Sequence, residues 1–459
     1  MTYWMRDIVA ALAFAAAFLL LILLAEAWAR LGHPVAERPR KLVHVAGGLI
    51  CLAFPFFIES PWTVTVLALG MAALLVMGRK LNLLCSLHGV ERRTHGAEYF
   101  PVTVAAVFWM SHDRPALYLA SLLTLAVADS LAALVGSRFG QVKFEVDREF
   151  KTLEGSLVFY LAAFGSISIP LALSSDPLLP SMSHRVVIAL FTAMLVTVFE
   201  AVGRHGRDNL WVPLGTLLVL SRLINESIQT VYLQLASFAA VCVLVTVGGA
   251  ISKAVNVGAT LALILAAYGC WALASIDWAL PLFGATLLCF LLARWYPPPQ
   301  RLRAAEVLHM VAPNVVVAAM ADFADLRDAE SVYKFLFGTF LAGAVAVVAQ
   351  NVWYLIRLLG RSGTVVATFM RMVCVVCLSM AAVLGTISFW PIGIGFEIAS
   401  ALVGVAVVVC GAHSILFGEH SPSTQEQPFL SRRYLLIIAA MLFVSALQLA
   451  GAIPLCSPD

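Results

Sequence analysis

Charge is what this sequence has least of. Asp, Glu, Lys and Arg make up 12% of its 459 residues, while 61% are hydrophobic; about a quarter of a soluble domain is charged. A chain so poor in polar surface is excluded from the soluble class, and most of it belongs in lipid. The net charge is only +3, and no Lys/Arg run stands apart from positions flanking apolar stretches, so nucleic acid is not an expected partner. The nine cysteines are scattered through apolar segments, where a thiol acts as a small hydrophobe, and no disulfide framework is read from them. Cys374 and Cys377 are spaced as CxxC inside a Val- and Met-rich stretch, and packing is expected there over redox chemistry. No internal repeat or low-complexity tract is present. The chain also lacks a GxxxxGK[ST] loop and a protein-kinase catalytic loop, which removes support for the soluble kinase folds.

What the sequence has instead is a succession of apolar runs, since roughly 17 to 25 such residues cross a hydrocarbon core as a helix. Spans are expected near 8–29, 42–58, 61–78, 99–111, 116–136, 152–173, 184–203 and 209–221. They continue near 226–248, 255–274, 276–293, 335–356, 364–388, 391–417 and 434–454. A weaker segment at 305–321 either crosses, lies at the interface or re-enters. The expected fold is therefore an all-α polytopic transmembrane bundle of about 15 or 16 spans. The N-terminal run is long for a secretory signal and is followed by Arg30, Arg38, Arg40 and Lys41, which reads as an uncleaved first span.

The connections alternate in charge. Segments 30–41, 79–98, 137–151 and 204–208 hold fourteen Lys and Arg, whereas the opposite side holds only Arg6, Arg114, Arg185 and Arg222. By the positive-inside rule the basic segments face the cytoplasm in a multi-pass protein.

Four polar groups border the apolar runs of residues 1–225, and that topology brings all four to the basic side. Arg40, Lys41 and His44 share one helix face at i, i+3 and i, i+4; they either grip phosphate or serve as a stop-transfer flank. Asp129, in LAVADSLAALVG, lies roughly 10 Å up its helix from Gly136. An ionisable group at that depth is costly and is a functional candidate by default. It either binds a cation, accepts a proton from an attacking hydroxyl, or pairs with a basic neighbour. Gly136 and Gly140 form a GxxxG spacing that signals close helix packing or backbone approach to phosphate. The run Lys151, Thr152, Glu154, Gly155, Ser156 opens the next span; Thr152 is a candidate N-cap, the helix N-terminus suits phosphate, and Glu154 suits a bridging metal ion. Glu200, Asp208 and Asn209 bracket a tight turn and supply the oxygen ligands Mg²⁺ prefers, unless the turn is simply solvated.

Taken in order, RKLVH at 40–44, ADSLAALVGSRFG at 128–140, KTLEGS at 151–156 and EAVGRHGRDNLWVP at 200–213 resemble the dolichol, phytol and farnesol kinase family, a group that includes the yeast-type CTP-dependent diacylglycerol kinase. The resemblance covers residues 1–225. It implies transfer of the terminal phosphate of a nucleotide triphosphate, typically CTP, to a lipid alcohol, with a divalent cation such as Mg²⁺. It further implies that Asp129, Lys151, Thr152, Glu154 and the Gly136–Gly140 region belong to the nucleotide and metal site, completed by Arg40, Lys41 and His44. Asp129 is the expected base. Residues 226–459 form an additional helical region to which the resemblance assigns no role; Arg371, Glu397 and His413 are its isolated polar residues. Two rivals remain: a cytidylyltransferase forming a CDP-lipid, whose long acidic signature is missing, and a transporter, which would place its binding residues nearer the midplane.

Overall fold

The computed structural model describes residues 3–32, 37–81, 96–111, 113–146, 149–203, 206–295, 301–325, 330–359, 374, 377, 402–407, 409 and 426–450. It is almost entirely helical, as the apolar runs predict. Among the described residues ten helices are long and apolar enough to cross a membrane, and Val257–Leu273 and Leu435–Leu449 are shorter apolar helices. The ambiguous segment at 305–321 is one of the ten, within Ala304–Asp322. Most of the two spans expected at 364–388 and 391–417, with Arg371, Glu397 and His413, lies outside the described residues. Cys374 and Cys377 are free and exposed.

The chain divides into two compact units, Met1–Leu235 and Ala236–Asp459. The first contains α1 (Tyr3–Gly32), α2 (Glu37–Cys51), the short α3 (Phe54–Phe57), α4 (Pro61–Lys80), α5 (Gly96–Met110) and α6 (Pro115–Leu123). A π-helical turn over Thr124–Asp129 then leads into α7 (Ser130–Phe139), the hairpin β1 (Lys143–Val146) and β2 (Glu149–Thr152), and α8 (Leu153–Leu173). α9 (Met182–Val202) and α10 (Asp208–Leu223) come next, and α11 (Ile228–Ser252) runs from this unit into the second.

Helix starts reflect local chemistry. Proline stands at the head of α4 and α6, where its missing N–H costs nothing and its fixed φ favours the first turn. Thr152 caps α8, its hydroxyl accepting from the Gly155 N–H at 3.2 Å, as the sequence predicts. The start of α4 is tied to α1 by Asp7, which is buried and accepts from the Glu59 N–H at 3.1 Å, the Ser60 N–H at 2.8 Å and the Thr63 hydroxyl at 3.2 Å. Three donors on one buried carboxylate make this a strong tether, since hydrogen bonds to a charged group contribute about 1.5–3 kcal/mol each. Asp7→Ala is therefore expected to lower the thermal midpoint in detergent more than any substitution on the exposed face of α1, and an unchanged midpoint would contradict the tether.

The basic stretch 137–151, expected as a loop, contains a departure from all-helical structure. Lys143–Val146 pairs antiparallel with Glu149–Thr152, with Phe144 opposite Lys151 and Val146 opposite Glu149. Alternation puts Phe144, Val146, Glu149 and Lys151 on one face, and Val146 is fully buried.

In the second unit, Trp278 is fully buried between Phe337 and Phe340, with ring centroids at 5.0 and 4.9 Å, and its indole N–H donates to the Tyr333 hydroxyl at 2.9 Å. Asn314 donates to the Phe340 carbonyl at 2.8 Å. These contacts account for packing; they assign no activity.

Candidate active site

A cavity of about 690 Å³ opens within the first unit. Thirteen of the fourteen residues singled out in the sequence line it: Arg40, Lys41 and His44 from α2; Asp129 from the π turn; Gly136 and Gly140 at the end of α7; Lys151 and Thr152 from β2; Gly155 and Ser156 from α8; and Glu200, Asp208 and Asn209 around the α9–α10 turn. The exception is Glu154. Its carboxylate faces the hairpin and accepts the Val142 N–H at 3.1 Å, so it is not among the groups that converge on the cavity. Glu154, expected as a metal ligand, is thus placed apart from the other candidates: two residues beyond the cap, the helix turns its side chain toward the hairpin while Gly155 and Ser156 line the cavity.

Asp129 owes its setting to the π turn. A π turn holds one residue more than an α turn, rotates the faces of the helix beyond it, and recurs at functional sites. Here Thr124 and Ser121 bond back to the Ala120 and Leu117 carbonyls, both at 2.8 Å, and Asp129 closes the turn beside His44. The His44 Nε2 lies 3.7 Å from the Asp129 carboxylate, with the two side chains 18% and 23% exposed. That nitrogen is buried and makes no hydrogen bond among the described residues, while the ring bonds to the Leu125 backbone and packs edge-on to Phe100 at 5.7 Å.

The approach of α2 to the π turn depends on Gly48. A Cβ there would stand 2.5 Å from the Ala126 Cβ, closer than side chains pack. Gly48→Ala is thus expected to push α2 outward, at about 1–3 kcal/mol for overpacking, and to draw His44 away from Asp129. The check is a lowered thermal midpoint together with a fall in turnover; a fully stable and active variant would refute the close crossing.

Opposite this pair, the Lys151 ammonium donates to the Glu200 carboxylate at 2.7 Å and also to the Glu200 backbone carbonyl. Burial works against the ammonium's charge, but the carboxylates of Glu200 and Asp208, the hydrogen bond to Glu200 and the Asp129 carboxylate outweigh it and raise Lys151 above its ordinary 10.5. With a folded value above the unfolded one, the pairing stabilises fully below about 10.5 and is lost as pH climbs through the raised value. Lys151 is therefore a fixed cation at neutral pH. Asp208 and Glu200 also act electrostatically on Asp129, so these three carboxylates share a cavity wall with Arg40, Lys41, Lys143 and Lys151.

The glycines pack as well as line. A Cβ on Gly136 would meet the Thr152 hydroxyl at 2.8 Å and the Gly155 Cα at 3.5 Å; a Cβ on Gly155 would meet the Ala132 carbonyl at 3.2 Å. The GxxxG spacing thus serves the crossing of α7 on α8. Asn209 has a positioning contact: its amide donates to the Gly96 carbonyl at 2.9 Å and holds the start of α5 against α10. Lys143, Glu149, Gly96 and Phe100 line the cavity too. Motif spacing does not single them out; strand alternation would have grouped Glu149 with Lys151 but puts Lys143 on the other face of the hairpin.

Among the described residues no group of three or more His, Cys, Asp or Glu side chains converges tightly enough to form a preformed metal cluster. Asp129, Asp208 and Glu200 are nonetheless hard oxygen donors on one wall, the kind that hold Mg²⁺ together with substrate phosphates rather than in an all-protein cage.

No protein-family model matches the chain, and no solved structure matches it. Two curated proteins are similar to it. A phytol kinase of Synechocystis sp. is 31% identical over 204 residues, which is 43% of this chain and 84% of that protein. A probable chloroplastic phytol kinase of Glycine max is 28% identical over 201 residues, 39% of this chain and 61% of that protein. At that identity and coverage, with a multi-pass helical fold and a charged cavity built from all four motifs, the chain belongs to the phytol and dolichol kinase family of lipid-alcohol kinases.

Proposed function

We propose that this protein transfers the terminal phosphate of CTP to the hydroxyl of a lipid alcohol at the cytoplasmic face of the membrane, with phytol the first alcohol to test. The observation that carries the reading is the cavity itself: the cations Arg40, Lys41, Lys143 and Lys151 and the carboxylates of Asp129, Glu200 and Asp208 gathered at one end of a bundle that belongs to a lipid-alcohol kinase family. The cytoplasmic assignment is supported by the charge alternation of the connecting segments.

Arg40, Lys41 and Lys151 bind phosphate oxygens, Arg40 as a planar fork and the lysines as point charges. Thr152 and Ser156 add hydroxyl groups at the N-terminus of α8, whose positive end faces the phosphates, and Gly155 leaves room for their approach. Asp129, Asp208 and Glu200 would hold a divalent cation, which supplies neutralisation of the phosphate charge when bound. Asp129 accepts the proton of the alcohol, with His44 orienting the carboxylate. The alcohol oxygen bonds to the terminal phosphorus as the bond to the leaving CDP oxygen breaks, giving a lipid monophosphate. Placing a soluble triphosphate and a membrane-bound alcohol in one site accounts for much of the expected acceleration.

The test is purified protein with CTP labelled at its terminal phosphate, Mg²⁺ and a panel of lipid alcohols. Label appearing in the lipid supports the reading. Cytidine retained on the lipid would establish the cytidylyltransferase reaction in its place, and the same label incorporated equally well from ATP would remove the preference for CTP.

A further inference from the structure

The cavity does not stop at its charged end. Past His44 it continues between α1, α2 and α4, walled by Phe18, Gly47, Cys51, Phe54, Ala68 and Met71. This limb is apolar throughout, and it runs along α2: from His44 to Cys51 is seven residues, or ~10 Å of helix. Its lining includes Cys51, Phe54 and Ala68, each largely covered by neighbouring side chains at 2%, 3% and 7% exposed. Such a space empties itself of water, because its walls offer water no partners.

Resting on the kinase reading above, we infer that this limb takes the single hydrocarbon chain of the acceptor, with the hydroxyl beside His44 and Asp129 and the chain running along α2 toward Phe54. Continuity with the charged end is the first argument, since one molecule with a polar head and an apolar tail fits one cavity that changes from charged to apolar along its length. Volume is the second. About 690 Å³ in all lies within the range of pockets that enclose one drug-sized ligand, and the charged end takes part of it. A total of that size, charged end included, favours one chain over the two acyl chains of a diacylglycerol.

Gly47 and Ala68 are the residues that set its width. A Cβ on Gly47 would meet only ordinary contacts, Phe18 at 3.6 Å and Leu21 at 4.0 Å, so the glycine is not demanded by the helix crossing as Gly48 is. Its effect is to leave the channel wide one turn beyond His44. Ala68 narrows the facing wall by only a methyl group.

Two measurements test this. With the wild-type protein in nanodiscs, a twenty-carbon alcohol carrying a diazirine about eight carbons from its hydroxyl is expected to label peptides containing Cys51, Phe54 or Ala68. Labelling confined to other helices overturns the inference while leaving the kinase reading intact; labelling at these positions in a protein that phosphorylates no alcohol overturns the kinase reading and leaves a lipid-alcohol site. The second measurement compares acceptors. Ala68→Phe and Gly47→Val are expected to lower kcat/KM for the twenty-carbon alcohol relative to a short alcohol such as propanol by about tenfold or more, the scale on which apolar pockets discriminate small changes of fit. An unchanged ratio in both variants, or diacylglycerol phosphorylated as well as a single-chain alcohol by the wild-type protein, counts against the channel.

Discussion

Asp129→Asn is expected to reduce phosphate transfer by about 10²–10⁴-fold, the usual contribution of a positioned general base, while the protein still purifies as a monodisperse species. The exchange keeps the shape of the side chain and its place at the end of the π turn, but it removes both the negative charge facing the cationic wall and the group that takes the alcohol proton. Asp129 is only 3.7 Å from a buried His44 nitrogen that makes no hydrogen bond among the described residues, so the carboxylate and the imidazole are set to act on one another. His44→Gln is therefore expected to weaken turnover less than Asp129→Asn, because it disturbs the carboxylate without removing it. Initial rates at saturating nucleotide and alcohol decide the matter. Activity of Asp129→Asn within a few-fold of wild type would take this carboxylate out of the chemistry.

Lys151→Met should be the most damaging single change to both stability and activity. It leaves Glu200 next to Asp208 and Asp129 with its ammonium gone, and breaking a buried pair by removing one partner costs about 3–5 kcal/mol. Replacing both partners by apolar residues is often close to neutral, so Lys151→Met with Glu200→Met is expected to recover much of the thermal midpoint. It should not recover phosphate transfer, because the cation that faces the nucleotide is still missing. Thermal midpoints and turnover of the single and double variants separate the two roles. Recovery of activity along with stability would reduce Lys151 to a tether between the hairpin and α9.

Much of this site was legible because membrane sequences carry their topology in their charges. Alternating basic and neutral connections put RKLVH, Asp129, KTLEGS and the Glu200–Asn209 turn on one side, and all four motifs line the same cavity. What was not legible has a different physical origin. Glu154 and Ser156 sit two residues apart in one motif, yet of these only Ser156 faces the cavity; which face a helix presents is decided by its crossing with α7, and spacing within six residues does not carry that. The hairpin escaped notice because two four-residue strands embedded in a basic segment lack both a hydrophobic run and a short Gly-containing turn. The π turn is invisible in TLAVAD, whose composition suits an α-helix equally well. The apolar limb went unread for the converse reason: Phe18, Ala68 and Met71 look like any other residues of a membrane span, and their grouping exists only once α1, α2 and α4 are set side by side.

Thr152 ends β2, caps α8 and stands under Gly136, with Gly155 packed against the same spot. Its hydroxyl is the atom that a Cβ at Gly136 or at Gly155 would meet first, at 2.8 Å in both cases. Variation at these positions is consequently linked: serine at 152 would keep the hydroxyl that both would meet, so a larger residue at 136 or 155 becomes acceptable only when 152 gives up that hydroxyl and with it the cap. In a library randomised over this crossing, surviving sequences should be sparse at each position alone and strongly correlated between them, whereas the lipid-facing residues a turn away, such as Leu157 and Leu161, should drift freely among apolar types.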